Sequence, residues 1–140
     1  MKTSAICRYF VVTTCLMLLS CSLAFAGQGE TILTKNAADG SKATIIFADK
    51  RLKTMTETDF AITLTGPSGV TIRDAKLHLS LDMPAMPMPP NHPKAVWQEE
   101  AYRGKVIFTM AGEWQVHLNV QRPGYEPQIY TFDIDMVVMK

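Results

Sequence analysis

The chain has 140 residues, of which 47% are hydrophobic, and its 14 basic and 13 acidic residues leave a formal net charge of +1. No cluster of Lys and Arg stands out, and because binding to phosphates requires such clusters, nucleic acid is not an expected partner. The length fits one ordinary domain with a single core.

The first 26 residues have the pattern of a secretory leader. Two basic residues precede an apolar run over 10–19, and Ala-Phe-Ala at 24–26 supplies the small residues that a signal peptidase reads. We therefore predict cleavage after Ala26 and a single domain over 27–140, in the periplasm or cell envelope. Two alternatives stay open: lipidation at Cys21, because Leu-Leu-Ser-Cys at 18–21 resembles a lipobox, and an uncleaved leader that serves as an anchor. Only these alternatives would place the chain at a membrane.

The three cysteines, Cys7, Cys15 and Cys21, all lie in the leader. The mature chain therefore has neither a disulfide framework nor a thiolate metal site, although its compartment would permit disulfides. It keeps twelve basic and thirteen acidic residues, a formal charge of −1. It also contains none of the common hydrolase, zinc-protease or phosphate-loop motifs, so we predict no catalytic residues and no enzyme activity.

Short apolar–polar alternations predict strands along most of the mature chain. In order, they cover 31–34, 42–48, 60–65, 70–82, 96–102, 105–110, 114–120 and 128–138. Breaks are expected at 66–69, 103–104, 111–113 and 123–124, where glycine or proline occurs. No stretch has a helical period of useful length. The pattern predicts an all-β, immunoglobulin-like β-sandwich of about seven strands.

Four of these strands should each present one apolar face to the core, because alternate residues of a strand point to the same side. The expected inward residues are Leu77, Leu79 and Leu81; Val106, Phe108 and Met110; Trp114, Val116, Leu118 and Val120; and Tyr130, Phe132, Ile134 and Met136.

The segment 83–93, MPAMPMPPNHP, differs from the rest of the chain. Its five prolines rule out a helix interior or a central strand, so we predict a semi-rigid extended loop. Met83, Met86, Met88 and His92 are its soft or borderline metal ligands, and thioether sulfur selects Cu(I). The alternative is packing, since Met83 continues the inward register of the preceding strand and methionine fills irregular core gaps.

His78 and His117 form a second, weaker candidate pair. Both lie on the outward faces of strands that would be C and F of an immunoglobulin-like sandwich, and those strands are neighbours. Side chains directly opposite each other across such strands could share a divalent ion. The alternative is that they are unrelated surface histidines.

The segment Ala101-Tyr102-Arg103-Gly104, followed by a strand and then Met110-Ala111-Gly112-Glu113-Trp114, resembles the strand–turn–strand ending of the YtkA-like and FixH-like families. The resemblance covers about 60–120. It implies a small secreted or membrane-anchored bacterial β-sandwich, often with a Met/His loop between its halves. It also implies copper supply to respiratory oxidases, with Met83, Met86, Met88 and His92 at the positions of that loop.

The predicted function is transient Cu(I) binding by a secreted β-sandwich that handles copper or assists oxidase assembly. The expected partner is a component of respiratory oxidase assembly or copper export, and the expected state is a monomer. The alternative is an interaction module that docks on an envelope or membrane protein without any metal.

Overall fold

The computed structural model describes residues 29–140, so the predicted leader and its Cys21 alternative lie outside the described residues. Within 29–140 the chain contains strands and no helix, and therefore no helix that is long and apolar enough to cross a membrane. The nine strands are β1 (Thr31–Asn36), β2 (Lys42–Phe47), β3 (Glu57–Thr65), β4 (Lys76–Met83), β5 (Met86–Asn91), β6 (Ala95–Gln98), β7 (Ala101–Ile107), β8 (Gly112–Gln121) and β9 (Gln128–Val137).

The strands form two antiparallel sheets, ordered β1-β2-β3-β7-β6 and β5-β4-β8-β9. Within them, β2-β3-β7-β6 follows the A-B-E-D order and β4-β8-β9 follows the C-F-G order of an immunoglobulin-type sandwich. The predicted β-sandwich is confirmed. Nine strands occur rather than about seven because β1 extends one sheet and the proline-rich segment extends the other as β5.

The core lies between the sheets and follows the predicted alternation closely on β4 and β8. Leu79 and Leu81 are buried, and the buried face of β8 consists of Trp114, Val116, Leu118 and Val120. Three further aromatic rings, Phe47, Phe60 and Phe108, pack in the same cluster, and Phe108 meets Trp114 edge-on at 5.4 Å between ring centroids. This cluster forms one continuous core.

The end of β9 differs from the prediction. Tyr130, Phe132 and Ile134 are buried as expected, but Met136 is exposed and Val137 is buried in its place. The register explains the change, because Trp114 pairs with Ile134 whereas Gly112 pairs with Val137, which leaves one extra residue on β9. Such a bulge shifts the alternation by one residue.

The predicted single strand over 96–102 is in fact a hairpin between β6 and β7. Its turn is formed by Glu99 and Glu100, which have positive φ values of 49° and 63°, as a primed hairpin turn requires. The predicted break at 103–104 lies inside β7. Gly104 is needed there for close packing, since a Cβ at this position would overlap the carbonyl oxygen of Lys94 and the ring of Phe60.

The chain before β4 is held by one buried tyrosine. The Tyr102 hydroxyl accepts a hydrogen bond from the Ala75 amide at 3.0 Å and donates one to the Ile72 carbonyl at 3.2 Å. Burial raises the pKa of Tyr102 above its usual value. Because residues 72–75 are fixed in this way, β4 begins at Lys76 and not at position 70 as predicted.

Candidate metal site

The methionines of the 83–93 segment lie on a tight hairpin between β4 and β5. Residues 84–85 form the turn, and Met83 pairs directly with Met86. Residues that pair directly lie on the same face with Cβ atoms about 4.5–5.5 Å apart. The hairpin therefore places two thioethers side by side at the end of the sheet.

β5 is an edge strand, not the loop predicted from its prolines. It pairs with β4 at only two positions, Met83 with Met86 and Leu81 with Asn91. Between these two pairs there is one residue on β4 but four residues on β5. Prolines 87, 89 and 90 fall in that interval and have no amide hydrogen to donate, which an edge strand tolerates. The prolines thus exclude a central strand, as predicted, but they do not prevent pairing at the sheet edge.

The three methionines are buried to different degrees. Met83 is 8% exposed, Met86 is 43% exposed, and Met88 is half-buried against the core. The expectation that Met83 continues the inward face of β4 is confirmed. Gly112, at φ 127°, makes room for it, because a Cβ there would lie 3.0 Å from the Met83 terminal methyl carbon. The sequence showed this glycine only as a turn signal.

His92 follows β5, and its ring is fixed by the backbone of β4. Its Nδ1 lies 3.1 Å from the Leu79 carbonyl oxygen. A carbonyl only accepts hydrogen bonds, so Nδ1 carries the proton and the lone pair lies on Nε2. A hydrogen bond of this kind orients many metal-binding histidines. The free Nε2 is therefore suited to coordination.

The structure does not bring His92 together with the Met83–Met86 pair. The ring of His92 lies beside Leu79, four residues before Met83 on β4, and four residues of strand span about 13 Å. His92 lines an open groove with Leu77, His78 and Pro93 instead. The four predicted ligands thus divide into a thioether group of Met83, Met86 and Met88 and a separate imidazole.

His78 and His117 lie on neighbouring strands, as predicted, because β4 pairs with β8. They are not directly opposite, since His78 pairs with Asn119 and His117 pairs with Ser80. The His117 ring instead lies between Asp82, with Nε2 to Oδ1 at 3.5 Å, and the Thr131 hydroxyl, at 3.2 Å from Nδ1. This arrangement places carboxylate and hydroxyl groups, not a second imidazole, beside His117.

Comparison with known proteins agrees with the fold. A family model described as YtkA-like matches residues 35–119, which is more than half of the chain. The chain belongs to the YtkA-like family. No curated protein and no solved structure matches the chain. The resemblance to the YtkA-like family, noted over about 60–120, is confirmed, and the match extends it towards the N-terminus to residue 35, at the end of β1.

The YtkA-like match includes the whole methionine hairpin, which connects the strands that correspond to C and D of the sandwich. Across residues 29–140, no group of three or more His, Cys, Asp or Glu side chains is arranged to hold a metal ion. The three thioethers of the hairpin belong to a different, softer class of ligand than the imidazole and carboxylate groups among these side chains.

Proposed function

We propose that this YtkA-like domain binds Cu(I) transiently in the periplasm or cell envelope, through the thioether group of Met83, Met86 and Met88. The observation that carries the proposal is the direct pairing of Met83 with Met86 at the end of an edge strand. Thioether sulfur is a soft ligand that prefers Cu(I) to harder divalent ions. The mature chain has no thiol to compete for the metal.

The three sulfurs belong to one face of the hairpin. Met86 lies directly opposite Met83, and Met88, two residues later, packs against the same core that contains Met83. Met83 is fixed in the core, whereas the more exposed Met86 can change rotamer. Because methionine has three rotatable bonds, small side-chain movements can bring the sulfurs onto one ion.

His92 is the proposed fourth ligand, and it would join only after a movement of β5. The segment 87–90 has no paired residue on β4, so its backbone is held mainly by its two ends. If that segment shifts, His92 must give up its hydrogen bond to Leu79. We therefore assign the resting site to the three methionines and a secondary role to His92.

The exposure of Met86 favours exchange over storage. A partner can approach an ion at an open edge and replace one thioether with a ligand of its own. This suits delivery to a component of respiratory oxidase assembly or of copper export, and it requires no catalysis by the domain.

Competition with a Cu(I) chelator under reducing conditions tests the proposal. The Met86→Leu/Met88→Leu double variant keeps apolar bulk but lacks both sulfurs, so its fold should be preserved. We expect competition by the native protein, at least tenfold weaker binding at this site in the double variant, and similar thermal stability of the two metal-free forms. Met136→Leu, an exposed methionine on β9, serves as the matched control.

Failure of the native protein to compete with the chelator would refute copper binding. The domain would then be better described by the second reading, an interaction module whose edge strands dock on an envelope or membrane protein. Equal binding by the native protein and the double variant would instead show that copper is held elsewhere.

A further inference from the structure

The methionines of residues 29–140 all lie at one end of the sandwich. This end, here called the methionine end, comprises 52–56 between β2 and β3, the β4–β5 hairpin on both sides of its turn, 108–111 between β7 and β8, and 135–140. Its methionines are Met55, Met83, Met86, Met88, Met110, Met136 and Met139. The loops at the opposite end, 37–41, 66–75 and 122–127, contain none. Three of the seven belong to the hairpin already described.

Three short segments run side by side across this end. Thr54 forms a parallel bridge with Phe108, and Lys53 forms one with Val138. The Met55 amide donates to the Phe108 carbonyl at 2.8 Å, and the Thr54 amide donates to the Val138 carbonyl at 2.9 Å. Segment 53–55 is therefore the middle one, and adjacent paired segments lie about 4.8 Å apart.

Each of the three segments carries an exposed methionine one or two residues after its bridged residue. Met55 in the middle is 67% exposed, Met110 on one side is 38% exposed, and Met139 on the other is 79% exposed. Long, unbranched side chains on adjacent segments can bend towards a common point. None of the three is needed to fill the core, so burial does not explain their presence.

The backbone at two of these positions is fixed in ways that favour a site. Met55 has a positive φ of 51°, a conformation that is uncommon for residues other than glycine and that clusters at functional positions. The Met110 carbonyl accepts a hydrogen bond from the buried Trp114 indole at 3.0 Å. Two of the three side chains therefore extend from backbone that is held in place.

We infer that Met55, Met110 and Met139 form a second thioether site for a soft monovalent ion, Cu(I) or Ag(I). The inference shares the class of ion with the proposed function but does not depend on Met86 or Met88. Lys53 and Lys140 flank the site and oppose a cation, so this second site should bind more weakly than the hairpin.

Silver titration of the protein labelled with ¹³C at the methionine methyl groups tests this inference. Ag(I) is soft like Cu(I) and needs no reducing agent. The methyl signals of Met83, Met86 and Met88 should shift during the first equivalent. Those of Met55, Met110 and Met139 should shift during the second, and the Met136 signal should change least.

Two sets of variants separate the sites. The Met55→Leu/Met110→Leu/Met139→Leu variant should lose the second equivalent and keep the first, whereas Met86→Leu/Met88→Leu should lose the first and keep shifts at Met55, Met110 and Met139. Met136→Leu should bind both. Leucine, like methionine, is unbranched at Cβ, so the positive φ at 55 is equally strained in both forms. Far-ultraviolet circular dichroism and melting temperature verify the fold of each variant.

Saturation of the native protein at one equivalent, with no shift at Met55, Met110 or Met139, would overturn the inference and leave the proposed function intact. Retention of two equivalents by the triple variant would overturn it as well. Shifts at these three methionines with none at Met86 and Met88 would support the second site and refute the hairpin site.

Discussion

Trp114→Ala should remove a large share of the domain's stability. The indole is almost fully buried, packs edge-on against Phe108, and donates a hydrogen bond from Nε1 to the Met110 carbonyl. It thus links the core to the loop between β7 and β8. The substitution would empty the largest buried side-chain position in the described part of the chain.

The expected loss can be built from these contacts. Replacing a buried Trp or Phe by Ala costs about 3–5 kcal/mol through lost burial and the cavity left behind. The lost indole hydrogen bond adds about 1 kcal/mol. Because Met110 is an exposed residue, we assign no further penalty to its released carbonyl. A total of about 4–6 kcal/mol approaches the whole stability of many small domains.

Urea unfolding followed by circular dichroism measures the loss, with Trp114→Phe as the control. Phenylalanine keeps an aromatic contact with Phe108 but lacks the N–H donor, so we expect a loss of about 1–2 kcal/mol. A loss below about 1 kcal/mol for Trp114→Ala would refute the assigned packing of β8. Equal losses for the two variants would mean that the ring contributes little beyond its hydrogen bond.

Three further predictions concern other parts of the chain. Gly104→Ala should lower stability by about 1–3 kcal/mol through overlap with Lys94 and Phe60; thermal melts should show a larger loss than for Gly66→Ala, where the added methyl would make only an ordinary contact, 3.7 Å from the Val70 carbonyl oxygen. Burial raises the pKa of Tyr102. The stabilisation of the fold by its neutral hydroxyl is therefore complete below the ordinary tyrosine pKa near 10 and is lost as the pH rises through the higher folded-state pKa. Tyr102→Phe should therefore lower stability at neutral pH and weaken its alkaline decline in urea melts at several pH values, and an unchanged decline would contradict this. Intact mass of the protein from its native envelope should correspond to a chain that begins at Gly27, whereas a diacylated Cys21 would indicate a lipoprotein.

The sequence predicts this fold best where one strand face is uniformly apolar. Leu79 and Leu81 on β4 and Trp114 to Val120 on β8 alternate strictly, and their burial is as expected. The bulge that exposes Met136 has no local sign, because it depends on how β9 pairs with β8. The Glu99–Glu100 turn was missed for a related reason. It has the backbone of a turn that usually contains Asn or Gly, and the two glutamates that form it here give no such signal.

The candidate site was predictable in its ligands but not in their grouping. Composition alone identifies Met83, Met86, Met88 and His92 as soft ligands on a stiff segment. Their spacing does not show that β5 pairs with β4 at only two positions, which places His92 beside Leu79 and away from Met83. The inferred second methionine site is harder still to predict, because Met55, Met110 and Met139 come from distant parts of the sequence, and only the pairing of 53–54 with 108 and 138 places their segments side by side.

The prolines of β5 have two effects that act together. An unprotected edge strand invites pairing with another chain, and proline prevents it by removing amide donors. Because the prolines also cannot donate hydrogen bonds to β4, residues 87–90 have little backbone attachment to that strand. The segment that carries Met88 can therefore move without breaking a ladder of hydrogen bonds. A site of this kind can open to a partner at low cost. Protection of the edge and the proposed exchange of a soft ion are therefore compatible uses of the same residues, and only removal of the sulfurs, with the prolines left in place, separates them.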